Sequence, residues 1–126
     1  MDTRTKILPA SDAASLDPRR PLVLATGRFE ILRLETVEEL RRARERNSAK
    51  SLAVVIGPLD GELAPAAARA EMAAALRVVD YVFVAGEEAF HALVASLQPI
   101  EIIHLEEAEQ RRTGQLIEHV QRLQSR

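Results

Sequence analysis

The chain has 126 residues, 47% of them hydrophobic, which suits one folded domain with its own core and argues against disorder. Lys and Arg total 17 against 19 Asp and Glu, and aromatics make up 3%, a poor match to a general nucleic-acid binder in both charge and stacking surface. No cysteine is present, which removes disulfides, thiolate chemistry and Cys-ligated metals together.

The start, MDTRTKILPAS, has no apolar core of signal-peptide length, and no apolar run approaches the ~18 residues of a membrane span. The expectation is a soluble cytoplasmic protein with neither membrane nor nucleic acid as partner. Residues 1–20 are polar and punctuated by Pro9 and Pro18, and read as a lead-in segment packed on the domain edge. Ser11 is placed to cap a short helix over Asp12 to Leu16. Residues 21–126 then read as a single α/β domain.

Leu22 to Ala25 is a continuous apolar run, as in a strand buried on both faces. Gly27 permits a sharp turn or a close backbone approach, and Phe29 to Leu32 follows as a loop or single turn. Thr36 and Glu39 have capping-box spacing, opening a helix whose inner stripe is Val37, Leu40 and Ala43. The remaining Arg and Glu residues, up to Arg46, form a solvated face, and Asn47-Ser48 ends the helix. Ser51 to Ile56 is a second strand, closed by Gly57-Pro58. Pro65 suits a helix first turn, with helix-forming residues from Ala66 to Arg77. Val79 to Val84 reads as a third strand. Glu87 to Leu97 reads as a helix with Phe90, Leu93, Val94 and Leu97 on one face, broken by Pro99. Ile100 to Ile103 begins a fourth strand, and the tail from Glu106 reads as helical with Leu116, Ile117, Val120 and Leu123 as its stripe. This alternation predicts right-handed crossovers and a parallel sheet covered on both sides. Ligands of such sheets bind at the carboxyl ends of the strands, beside the first strand.

Three stretches carry a resemblance. They are Thr26-Gly-Arg-Phe-Glu30, the segment from Pro65 through Arg69 and Arg77 to Val82, and Gln98-Pro-Ile-Glu-Ile-Ile103. Together they resemble the cytidylyltransferase-like nucleotidyltransferases, in particular the nucleotidyltransferase domain of bacterial ADP-heptose synthase, from roughly Lys6 to the C-terminus. The resemblance implies a Rossmann-like α/β/α fold with a parallel sheet of about four strands, ordered 3-2-1-4. Members join a nucleoside triphosphate to a sugar phosphate or alcohol phosphate and release pyrophosphate. A His-x-Gly-His pair stabilises the charge building on the triphosphate.

This chain departs from that pattern. Arg33 and Thr36 occupy the histidine positions, and Glu35 replaces the glycine between them. The loop after the second strand lacks the family lysine and carries Asp60 and Glu62. His104-Leu-Glu-Glu107 replaces a Lys-Gly-Gly-like turn, the fifth strand is expected to be missing, and of a Ser/Thr pair only Thr113 survives, beside Arg112. Carboxylates at Glu30, Glu35, Asp60, Glu106 and Glu107 gather on the rim expected to receive phosphate. Losing one preorganised donor costs ~10²–10³ in rate. The expectation is therefore a degenerate nucleotidyltransferase-like protein retained for nucleotide binding or assembly. The alternative is an active transferase using arginines in place of the histidines.

By resemblance, nucleotide-binding candidates are Thr26, Gly27, Arg28, Phe29, Arg77 and Thr113, with CTP or ATP and Mg²⁺ as the ligand. Each has a plainer reading. Arg28 and Arg33 hold an anion or are solvated; Arg77 faces the triphosphate or complements a helix C-terminus; Thr36 is a ligand or a cap. His104 with Glu106 and Glu107 binds a cation or is ordinary surface, while His91 and His119 carry no assigned role. A homodimer or partner protein would cover the sheet edge left by the missing strand.

Overall fold

The computed structural model describes residues 2–16, 20–29, 33–49, 51–57, 65–106, 109 and 120–124. Its frame is a five-stranded, wholly parallel sheet of β1 (Ile7–Leu8), β2 (Leu22–Gly27), β3 (Ser51–Ile56), β4 (Tyr81–Val84) and β5 (Glu101–His104). The spatial order is β1-β4-β3-β2-β5. The helices are α1 (Leu34–Arg46), α2 (Ala66–Ala74) and α3 (Glu87–Leu97). The strands anticipated from sequence keep the order expected of them. The sheet has one strand more, because Ile7-Leu8 pairs with Val82 and Phe83 along the open edge of β4. A two-residue strand has no periodicity to read.

Both faces of β2 and β3 are buried throughout, which is why their sequences are apolar runs without alternation. Successive residues still divide between two cores. Val23, Ala25, Leu52, Val54 and Ile56 pack with Leu40 and Ala43 of α1 and Ala70, Ala73 and Ala74 of α2. Leu22, Leu24, Ala53 and Val55 pack on the other face with Leu93 and Leu97 of α3 and with Ala13. Helices thus cover both faces. The chain steps from β2 to β3 to β4 in one direction and then crosses back over β3 and β2 to β5, so the connections from β2 and to β5 lie on opposite sides and the crevice outside the carboxyl ends of β2 and β5 is the topological switch point.

Several boundaries differ from expectation. Ala10–Ser15 is a 3-10 helix in which Pro9, not Ser11, holds the cap position, with Asp12 N–H donating to the Pro9 carbonyl at 2.9 Å. Thr36 is not a cap: Arg33 holds the extended cap conformation, and Thr36 lies inside the first turn of α1, only 3% exposed. Thr36, Leu40 and Ala43 share the buried side of the helix, so the core claims a side chain that spacing had assigned to the terminus. Pro65 is likewise a cap rather than a first-turn residue. α2 stops at Ala74 because Val79 must reach the core and Asp80 must join the sheet, where its carboxylate accepts from Leu52 N–H at 2.8 Å. β2 extends beyond the apolar run through Thr26 and Gly27, so Gly27 serves a close backbone approach at the strand end rather than a sharp turn. No helix among the described residues is long and apolar enough to cross a membrane.

Candidate functional site

β2 and β5 run in register, which places Thr26 beside His104 at the carboxyl end of the sheet. Thr26 Oγ1 donates to Glu106 Oε2 at 2.8 Å and lies 3.0 Å from His104 Nδ1. A hydroxyl has one proton. With that proton on the Glu106 contact, Nδ1–H of His104 donates to the hydroxyl oxygen. A cavity of about 360 Å³ opens here, lined by Thr26, Gly57, Gly86, Glu87, His104 and Glu106 among others. Among the described residues its lining includes two carboxylates and neither lysine nor arginine. α3 begins at this cavity, but Glu87 and Glu88 already complement the positive end of its dipole.

One step along the chain, the backbone makes an anion cradle. Phe29 has φ 54°, a left-handed conformation that an aromatic residue adopts only under constraint. The Arg28 and Phe29 amides both donate to one carboxylate: Arg28 N–H to Glu109 Oε1 at 2.9 Å and Phe29 N–H to Glu109 Oε2 at 3.0 Å. Gly27 makes the approach possible. A Cβ there would lie 2.7 Å from Phe29 Cε2 and 2.8 Å from Glu109 Oε1. Burial pushes the Glu109 carboxyl above its ordinary range and the nearby Glu106 adds to this, while the two amides and the Arg28 charge pull the other way. The buried Nε of Arg28 has no hydrogen-bond partner among the described residues.

Beneath the cradle lies Arg69, wholly buried on α2. Its Nη1 donates to the Arg28 carbonyl at 3.0 Å and the Gly57 carbonyl at 3.1 Å. It thereby ties together the chain leaving β2 and the chain leaving β3, and sets a cation behind the anion cradle.

Thr26 and Gly27 end β2, and Arg28 and Phe29 follow them at the carboxyl end of the sheet. Arg33 is half-buried at the start of α1, and Thr36 packs into the core. Glu35 lines a groove with Glu39, Arg42 and Arg46 along α1. Arg77 follows α2 and precedes β4, which puts it at the amino end of the sheet, beside a second cavity of about 640 Å³ with Val37, Arg41, Arg44 and Val78. Glu30, Asp60, Glu62, Glu107, Arg112, Thr113 and His119 lie outside the described residues. Among the described residues, no group of three or more His, Asp or Glu is placed to hold a metal ion.

Two residues central to the site had escaped notice as functional groups. Arg69 had a signal: the one basic residue of the alanine-rich Ala66–Ala74 segment, adjacent in sequence to the buried Ala70. Glu109 had none, being one carboxylate in an acidic stretch whose placement depends on how the chain leaves β5.

The crystal structure of the lipopolysaccharide core biosynthesis protein from Thermoplasma volcanium GSS1 is similar to this one. The two chains are 23% identical, with a TM-score of 0.59 over 66% of this chain and 72% of the other. That likeness establishes the fold class. No protein-family model matches the chain. No curated protein matches it either.

Proposed function

We propose that the protein is a degenerate nucleotidyltransferase-like protein that binds a nucleotide with Mg²⁺ at the carboxyl end of β2 and does not turn it over. The observation that carries this reading is the occupancy of the Arg28 and Phe29 amides by the chain's own Glu109 carboxylate. The backbone geometry suited to a phosphate is retained. Carboxylates have gathered around it, with Glu109 on the amides and Glu106 nearby, and Glu87, Glu106 and His104 line the adjoining cavity. Developing negative charge on a triphosphate would meet these carboxylates as well as the two amides, which opposes transfer. A divalent cation bound with the nucleotide offsets part of that repulsion.

Calorimetric titration with CTP and with ATP, each with and without Mg²⁺, tests the proposal. A pyrophosphate-release assay goes with it, using a sugar phosphate as acceptor, a choice that follows from the resemblance to nucleotidyltransferases. The expected result is Mg²⁺-dependent nucleotide binding without pyrophosphate release. Release that is abolished in Arg33→Ala would overturn it in favour of an active transferase working through arginine. No heat with any nucleotide, together with a dimer by light scattering, would overturn it in favour of a scaffold kept for assembly.

A further inference from the structure

We propose that Glu109 is an intramolecular competitor at the oxyanion position: its carboxylate holds the Arg28 and Phe29 amides until a phosphate or diphosphate group displaces it. The inference rests on the nucleotide-binding reading only for the identity of the larger ligand.

The geometry is that of a ligand in its site. Each carboxylate oxygen takes one backbone N–H, at 2.9 and 3.0 Å, so the contact is two-pronged as a phosphate's would be. These donors are fixed by backbone. Phe29 is wholly buried in a left-handed conformation, and Arg28 is held from behind through its carbonyl by Arg69. The acceptor, by contrast, sits at the end of a flexible side chain. Arg28 also carries a buried Nε with no hydrogen-bond partner among the described residues, and its charge already acts on Glu109. A tetrahedral phosphate has a third oxygen for such a donor, and a carboxylate does not.

The electrostatics favour exchange. Burial disfavours the ionised form of Glu109, with Glu106 adding repulsion, so the resident anion is held less firmly than its two hydrogen bonds alone suggest. Glu106 itself is anchored to Thr26 and opposes any incoming anion equally. The site therefore discriminates by charge. A simple monoanion gains nothing over Glu109, whereas a diphosphate carries more charge and a third contact. The consequence is a binding threshold built into the fold.

The test is titration with inorganic pyrophosphate of the wild-type chain, Glu109→Gln and Glu109→Ala. It is followed by the Arg28 and Phe29 amide resonances and by the Glu109 side-chain carboxyl resonance. Both variants are expected to bind about tenfold tighter or more, the scale of removing one charge-assisted competitor. In the wild type, saturation should shift both amides and move the Glu109 carboxyl resonance to that of a solvated carboxylate. Equal or weaker binding by the variants overturns the proposal. So does wild-type binding that leaves the Glu109 resonance in place, a readout that needs no variant to fold. Parallel titrations with CTP and ATP separate the two readings. Tighter pyrophosphate binding by the variants with no nucleotide response upholds the competitor and sinks the nucleotide reading. Nucleotide binding of equal strength in all three chains does the reverse.

Discussion

The two ends of the sheet solve opposite problems. At the carboxyl end, backbone donors are fixed and the chain fills them itself with Glu109, over a cation, Arg69, that is sealed from water. At the amino end the cavity is larger, about 640 against 360 Å³, and arginines 41, 44 and 77 line it, yet no backbone cradle is formed there. Arg44 is engaged with Asp80 at 3.3 Å and with the Val78 carbonyl at 3.1 Å, and Arg41 with Glu45 at 3.3 Å. Cavity size and surface charge thus point to one end of the molecule, and preorganised geometry to the other. Positive charge on flexible side chains is a weaker mark of an anion site than two aligned amides, because ordering the side chains costs entropy that fixed backbone does not.

The largest effect that separates the ends is expected at Arg69. Arg69→Ala removes a buried cation bonded to two carbonyls and should lower stability by about 3 kcal/mol in chemical denaturation. Arg44→Ala, at the half-exposed end, should cost about 1 kcal/mol or less. Equal losses would break the contrast between a sealed and a solvated end. Next is Gly27→Ala, whose methyl meets the Phe29 ring and the Glu109 carboxylate below 3.0 Å. It should cost about 1–3 kcal/mol in the same measurement and displace the carboxylate, which is the more mobile neighbour.

A smaller effect sharpens the comparison through pH. Because the folded carboxyl of Glu109 is raised above the ordinary 4.5, its contribution to stability is full below 4.5 and is lost as pH rises through the folded value. Glu101, held low by Arg46 and Asn47, acts in the other window: its contribution is present above 4.5 and lost below. Unfolding free energy measured across pH should therefore fall above 4.5 in the wild type relative to Glu109→Gln. Coincident profiles would mean that Glu109 is not desolvated in its cradle. The smallest effect belongs to Arg77. Arg77→Ala, exposed and remote from β2, should change stability by less than about 0.5 kcal/mol and leave nucleotide affinity unchanged. A loss of nucleotide binding there would move the ligand to the amino end.

The order of the four longer strands was implied by the resemblance, whereas the residues themselves determined the parallel α/β class, the bounds of α3, and the position of the Thr26 to Phe29 stretch beside the first long strand. These rest on signals spread over many residues: apolar runs, helical stripes and the alternation of elements. Tertiary structure decided what depends on a neighbour distant in sequence. It gave Ile7-Leu8 a strand by pairing it with β4, drew Thr36 into the core, and sent Arg77 to the far end. It also seated Glu109 on amides 80 and 81 residues away and buried Arg69 against Arg28 and Gly57. A carboxylate on a helix is written identically whether it faces water or a backbone cradle, and only the packing that desolvates it tells the two apart.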